Sequence, residues 1–202
     1  MAEWAGYVLE DFRFDFSPGS KILDVGCGEG AELSGLAGRS IGAFGIDLSM
    51  ESLRNCRTQN LCVVRGRAEH LPFRPEAFDG IVRKVMLPYT DERATINEIG
   101  RVLRRGGIAY MVSHGAGYYL RYLLDDMRIP YPIYGARSML NTWLWASTGL
   151  RLPGFLGDTI YQSRKRLLKH YQGAGLELDN EWPSGRFLGF PVFLYDRVKK
   201  RY

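Results

Sequence analysis

Cysteine is scarce in this chain, and what there is does not pair. Cys27, Cys56 and Cys62 are the only three, and none forms a C-x-x-C motif. That excludes a disulfide framework and fits free thiols in a reducing compartment. Long apolar runs are also absent: no stretch approaches the roughly 20 residues a helix needs to span a bilayer. The segment from Met1 to Phe16 carries Glu3, Glu10, Asp11 and Asp15, the wrong charge for a secretory or mitochondrial leader. No repeat and no linker-like run divides the chain. The expectation is a cytoplasmic chain folding as one domain over residues 1–202.

What is present is ordinary in amount but uneven in placement. The 202 residues are 46% apolar and 24% charged, enough for a real core. The net charge of +5 is split: residues 1–100 hold 11 Lys/Arg against 15 Asp/Glu, and residues 101–202 hold 16 against 7. The basic half suits an anionic substrate, a lipid surface or nucleic acid, or simply forms a solvated face.

The stretch that organises the chain is Lys21-Ile22-Leu23-Asp24-Val25-Gly26-Cys27-Gly28-Glu29-Gly30. Ile22 to Val25 reads as a buried strand, and a helical pattern follows from Ala31. Between them, Gly26, Gly28 and Gly30 form a turn that tolerates unusual φ/ψ and close ligand approach. A bare glycine triplet is a weak signal; one after a strand and before a helix is stronger. The N-terminus of the following helix faces this loop and favours an anionic group. A second strand, Gly42 to Ile46, ends in Asp47, placed to accept hydrogen bonds from both hydroxyls of a ribose. Ser49 is the expected N-cap of a helix over Glu51 to Cys56, and Leu61 to Val64 reads as a third strand.

Asp24 to Gly30 resembles the first motif of class I S-adenosylmethionine-dependent methyltransferases. Three later stretches resemble the same family in order: Ala68-Glu69-His70-Leu71-Pro72-Phe73, Phe78-Asp79-Gly80-Ile81-Val82, and Asn97 to Gly107. The likeness runs from about residue 20 to 113. It implies an α/β fold, a Rossmann-like doubly wound seven-stranded sheet with an antiparallel last strand. It implies S-adenosyl-L-methionine as cofactor and no metal. Carried over by motif, Asp24, Gly26, Cys27, Gly28 and Gly30 lie near the methionyl end, Asp47 and Leu48 at the ribose, and Ala68 with Glu69 near adenine. Arg67 stands where the family usually has aspartate. Arg83 and Lys84 follow the fourth strand, where small polar residues are common. At least one of these side chains is expected to point away, leaving the Arg83 carbonyl for the methionyl amine. Pro88 replaces a frequent histidine, so Tyr89 becomes the local polar candidate.

A helix over Asp91 to Leu103 leads through Gly106-Gly107 to strand five, Ile108 to Ser113, and His114 follows. A histidine there is a candidate general base, though a lone histidine is more often structural. Residues 114–161 hold nine aromatics: Tyr118, Tyr119, Tyr122, Tyr131, Tyr134, Trp143, Trp145, Phe155 and Tyr161. They read as an inserted cap of two short helices and loops, punctuated by Pro130, Pro132 and Pro153. Such a cap suits a hydrophobic or aromatic acceptor, or forms a second hydrophobic cluster. A helix over residues 3–12, bearing Trp4, Tyr7, Val8 and Phe12, reads as a lid. Leu176 to Trp182 and Phe187 to Val198 read as the last two strands. The function expected is methyl transfer to a small acceptor. RNA or protein methylation, cofactor binding without turnover, and nicotinamide oxidoreduction are the alternatives, the last disfavoured by the glycine spacing. Nucleic acid is not an expected partner, and peripheral membrane contact is compatible with the basic half.

Overall fold

The computed structural model describes residues 12–202 apart from Gly38, Ser40 and residues 126–129. The helix expected over residues 3–12 lies outside them except for Phe12, whose ring packs edge-on against Tyr110 and Trp182.

Five parallel strands open the sheet: β1 (Lys21–Val25), β2 (Gly42–Asp47), β3 (Cys62–Arg65), β4 (Phe78–Lys84) and β5 (Leu103–His114). Later come β6 (Leu176–Trp182), a small hairpin of β7 (Arg186–Phe187) and β8 (Phe190–Pro191), and β9 (Phe193–Lys200). The seven-stranded order is β3-β2-β1-β4-β5-β9-β6, with β9 antiparallel to both neighbours. The order reverses between β1 and β4, which opens a crevice beyond the carboxyl ends of these strands. The helices are α1 (Ala31–Ala37), α2 (Met50–Thr58), α3 (Glu92–Val102), α4 (Ala116–Leu124), α5 (Tyr131–Thr148) and α6 (Arg164–Gly173).

Central position explains the composition of β1. Helices and loops cover both faces of a parallel sheet, so its inner strands are mainly apolar. Leu23 and Val25 pack with Ile81, Ala109 and Met111 under Ile96, Ile99 and Val102 of α3 and Leu167 and Tyr171 of α6. Ile22, Val82 and Tyr110 pack on the other face with Phe14, Phe16 and Leu36. Ser49 caps α2 as expected, its side chain accepting from the Ser52 N–H. Asp91 caps α3, accepting from the Ala94 N–H.

Three boundaries differ from the sequence reading. Strand five starts at Leu103, which pairs with Phe78 before a register shift, and Gly106 (φ 72°) lies inside it. The stretch Phe187 to Val198 is not one strand. Leu188 and Gly189 both take positive φ and turn the chain into the β7–β8 hairpin, so β9 begins at Phe193. The cap is built around one long helix: Pro132 lies in the first turn of α5, where a missing N–H costs nothing, and the helix runs 18 residues to Gly149.

Candidate active site

The glycine loop leaves β1 through residues in left-handed conformations, Gly26 at φ 78° and Gly28 at φ 51°. The two glycines serve different needs. A Cβ on Gly26 would lie 2.7 Å from Met86 Cγ, whereas one on Gly28 would meet nothing within 4 Å. Gly26 therefore admits a neighbour, and Gly28 leaves open space beside its backbone. Gly26→Ala is expected to destabilise the protein by about 1–2 kcal/mol, from the φ penalty and the collision with Met86. The denaturant midpoint at unchanged slope measures this. Gly30 packs against Leu61 and Cys56. Cys27 is buried with Leu33 and Leu53, away from the crevice.

Asp47, at the end of β2, ties this loop to the next. Its Oδ2 accepts the Gly28 N–H at 2.9 Å, and its Oδ1 accepts the Ser49 N–H at 2.8 Å. Each oxygen retains a second acceptor position.

A cavity of about 220 Å³ lies at the crevice. Gly26, Asp47, Leu48, Ala68, Glu69 and Tyr89 line it, so the fold brings six of the sequence-predicted residues together. Val25, Ile46, Gly66, Arg67, Met86 and Thr90 complete the wall. Of these, the sequence reading placed only Arg67 near the site. Met86 is carried there by Val85, a β-branched residue at φ 59° whose N–H donates to Val112 O at 2.9 Å. Such a conformation is strained, and no sequence signal marks it. The Arg67 side chain is 70% exposed and 3.8 Å from Glu69, so it does not fill the cavity. Glu69 Oε1 accepts the Asp91 N–H at 3.2 Å, which anchors it to the start of α3.

Six predicted residues lie outside the cavity wall: Cys27, Gly28 and Gly30 of the loop, and Asp24, Arg83 and His114. Asp24 is buried in the plane below. Burial first, then the nearby Glu32 carboxylate, push its pKa up to about 7, with Lys84 opposing. The Lys84 ammonium itself pairs with Glu32. Arg83 is wholly buried and points away from the crevice, as expected of at least one of these cations. Its Nη2 donates to Ser113 Oγ at 2.7 Å and its Nε to Met111 Sδ at 3.4 Å. Burial lowers its pKa, opposed by Tyr171 and Asp196. His114 is the last residue of β5, its ring stacked on Tyr118 at 3.7 Å. Burial, then the Arg83 charge, pull its pKa down to about 3. It is neutral at neutral pH and a weak base there.

An aromatic chain joins His114 to the cavity. Tyr89 and Tyr134 share a hydrogen bond at 3.3 Å, the Tyr134 and Tyr119 rings lie 5.7 Å apart, and Tyr119 OH is 3.5 Å from His114 Nδ1. Burial, then Tyr134, raise the Tyr89 pKa, so its phenol stays protonated and serves as a hydrogen-bonding group.

Residues 23–111 match the methyltransferase domain family. The chain is 32% identical over 96 residues to the demethylmenaquinone methyltransferase of Corynebacterium kroppenstedtii, covering 47% of this chain and 42% of that protein. It is 35% identical over 96 residues to the phthiotriol/phenolphthiotriol dimycocerosates methyltransferase of Mycobacterium tuberculosis, covering 44% and 36%. The matched stretch thus spans less than half of either relative. The fold matches an S-adenosylmethionine-dependent methyltransferase from Mesorhizobium loti with a TM-score of 0.69 at 15% identity, covering 93% of this chain and 94% of that one. Residues 23–111 thus resemble a methyltransferase domain, and the fold is that of the S-adenosylmethionine-dependent methyltransferases.

S-adenosylmethionine is the cofactor of the matched family, and the cavity of this chain fits it chemically. The open space at Gly28 accommodates a ligand against backbone. Two carboxylate oxygens with spare acceptor positions match a cis-diol. Ile46, Ala68 and Met86 offer apolar surface to a flat heterocycle.

Proposed function

We propose that this chain transfers the methyl group of S-adenosylmethionine to a small hydrophobic or aromatic acceptor. The observation that carries the acceptor class is the aromatic wall running from Tyr89 through Tyr134 and Tyr119 behind the cavity. The matched relatives bear the names of a demethylmenaquinone and a phthiotriol dimycocerosate methyltransferase, which agrees with a lipophilic acceptor.

When bound, the cofactor supplies an activated methyl group on a sulfonium. The chain's own residues orient and desolvate. Asp47 accepts from the two ribose hydroxyls. The backbone from Gly26 to Gly30, Asp24 and the Arg83 carbonyl receive the methionyl end. Ala68 and Glu69 border the adenine. Placing the acceptor in line with the methyl accounts for much of the rate, since proximity and orientation alone lower barriers strongly. Tyr89 donates a hydrogen bond that orients the acceptor, and His114 holds Tyr119 in position behind it.

The test is formation of S-adenosylhomocysteine with a panel of quinols, phenols and fatty acids, and with RNA in parallel. Turnover with an apolar acceptor supports the reading; turnover with RNA alone overturns it. Tyr89→Phe is expected to raise the acceptor KM about threefold to tenfold while leaving cofactor affinity within about twofold, the loss of one hydrogen bond. An unchanged KM removes Tyr89 from acceptor binding.

A further inference from the structure

Helix α5 is turned inside out. Its buried side carries Arg137, Ser138, Asn141 and Thr142. Its outer side presents Ile133, Leu140 and Trp143, exposed by 54%, 54% and 68%, with Ala136 between them. These positions recur at i, i+3, i+7 and i+10, a single helical stripe. That stripe contains no charged residue.

The buried polar side has a structural reason. Asn141 Nδ2 donates to Gly157 O and Thr159 O at 3.1 and 2.8 Å, and its Oδ1 accepts the Leu152 N–H at 3.0 Å. Thr142 Oγ1 accepts the Tyr161 N–H at 3.0 Å, and Arg137 lies 2.9 Å from Asp158. These bonds strap residues 152–161 across the helix. They do not explain an apolar outer face; beyond the helix Leu150 and Leu156 are exposed as well. An exposed apolar helical stripe of this kind marks an interaction surface.

We propose that this face docks on an anionic lipid surface. Charge selects the occupant. Of the six Lys/Arg in residues 131–170, Arg137, Arg164 and Arg166 pair with Asp158, Asp196 and Glu92, and the exposed cations are Lys165 and Lys169 of α6. Asp158 is the one acidic residue of that stretch. The Arg166 guanidinium stacks 4.8 Å over Trp145, which brings the basic start of α6 beside the C-terminal half of α5. Lys165 and Lys169 are exposed on that helix, with Leu168 between them. An apolar stripe with Trp and Leu, flanked by cations, matches a helix lying in the plane of a bilayer interface. Each cation near an anionic surface adds about 1 kcal/mol. A second copy of this chain would bring two such basic segments together, which disfavours it as the occupant. Among the described residues no helix is long and apolar enough to cross a membrane, so the contact is interfacial.

The same helix carries Tyr134, which is hydrogen-bonded to Tyr89 of the cavity wall. Docking would therefore set a lipophilic acceptor's source against the cap. That last step rests on the proposed function; docking itself does not.

The experiment is co-sedimentation of the full chain with mixed phosphatidylcholine–phosphatidylglycerol vesicles and with pure phosphatidylcholine vesicles, at low and high salt. Wild type and a Leu140→Glu/Trp143→Glu variant are compared. Calorimetric titration with S-adenosylmethionine checks that the variant is folded, and light scattering reports oligomeric state. Wild type is expected to bind the mixed vesicles at least about tenfold more tightly than the neutral ones, weakening with salt, and the variant to lose about tenfold or more. Cofactor affinity should be the same in both. Absence of wild-type binding to the mixed vesicles, or equal binding by the variant, overturns the proposal. So does a wild-type dimer that the variant dissolves without any vesicle binding, which would assign the face to a second copy. A protein that binds vesicles but not the cofactor leaves docking intact and overturns only the cofactor reading.

Discussion

Asp47→Ala is expected to weaken S-adenosylmethionine binding about a hundredfold or more, measured by calorimetric titration. Two hydrogen bonds from ribose hydroxyls to a carboxylate contribute about 1.5–3 kcal/mol each, and each 1.4 kcal/mol is a factor of ten. The substitution also releases the Gly28 and Ser49 N–H groups that the carboxylate holds at 2.9 and 2.8 Å, so the loop loses its preset shape. Asp47→Asn separates the two effects. It keeps the shape of the side chain but replaces one acceptor with a donor that faces an N–H. A folded Asp47→Ala protein that binds within about threefold of wild type would remove Asp47 from the cofactor site, since even one lost charged hydrogen bond exceeds that factor.

Asp24→Asn is expected to act in opposite directions on stability and on binding. The Asp24 carboxyl has its pKa raised from 3.8 to about 7, first by burial and then by Glu32, against the pull of Lys84. Between those two values the folded protein holds a proton that the unfolded chain releases. Wild-type stability therefore falls as pH rises from 3.8 to 7 and levels off above. The asparagine variant lacks this fall, and on the alkaline side it should be more stable by about 2–4 kcal/mol. Binding follows the reverse sign. A methionyl ammonium favours the ionised carboxylate, so wild-type affinity should drop by up to about tenfold per pH unit below 7, with proton release on binding. The variant should bind more weakly and without that slope. Titrations across pH in buffers of different ionisation enthalpy decide it. A flat wild-type profile means Asp24 does not meet the cofactor's charge.

The parts legible in the sequence are those fixed by local backbone demands. The run Ile22 to Val25 is apolar but for Asp24 because β1 is covered on both faces. The loop after it needs glycine at Gly26 and Gly28 because both take positive φ. Asp47 could be placed because it ends the neighbouring strand, Val25 pairing with Ile46 just before it. What escaped depends on long-range context. Strand alternation could not tell which way Arg83 turns, since both faces of β4 are buried. Met86 reaches the cavity through the strained backbone at Val85, where sequence predicts nothing unusual. In α5, periodicity points the wrong way, because the strap at residues 152–161 takes the polar side and leaves Leu140 and Trp143 outside. Pro132 read as a break and instead begins that helix.

The place of β9 in the sheet has a consequence for synthesis on the ribosome. β6 is made before β9, yet among the described residues β9 is its one partner in the sheet and separates it from β5. Until Phe193–Lys200 has emerged, β5 has an open edge and β6 has no strand to join. The five parallel strands can assemble as they appear, but the sheet closes only in a late, non-local step. Non-local pairing is slow, and open edges invite association with other chains. Nascent chains stalled between β6 and β9 are therefore the form of this protein that most needs chaperone cover.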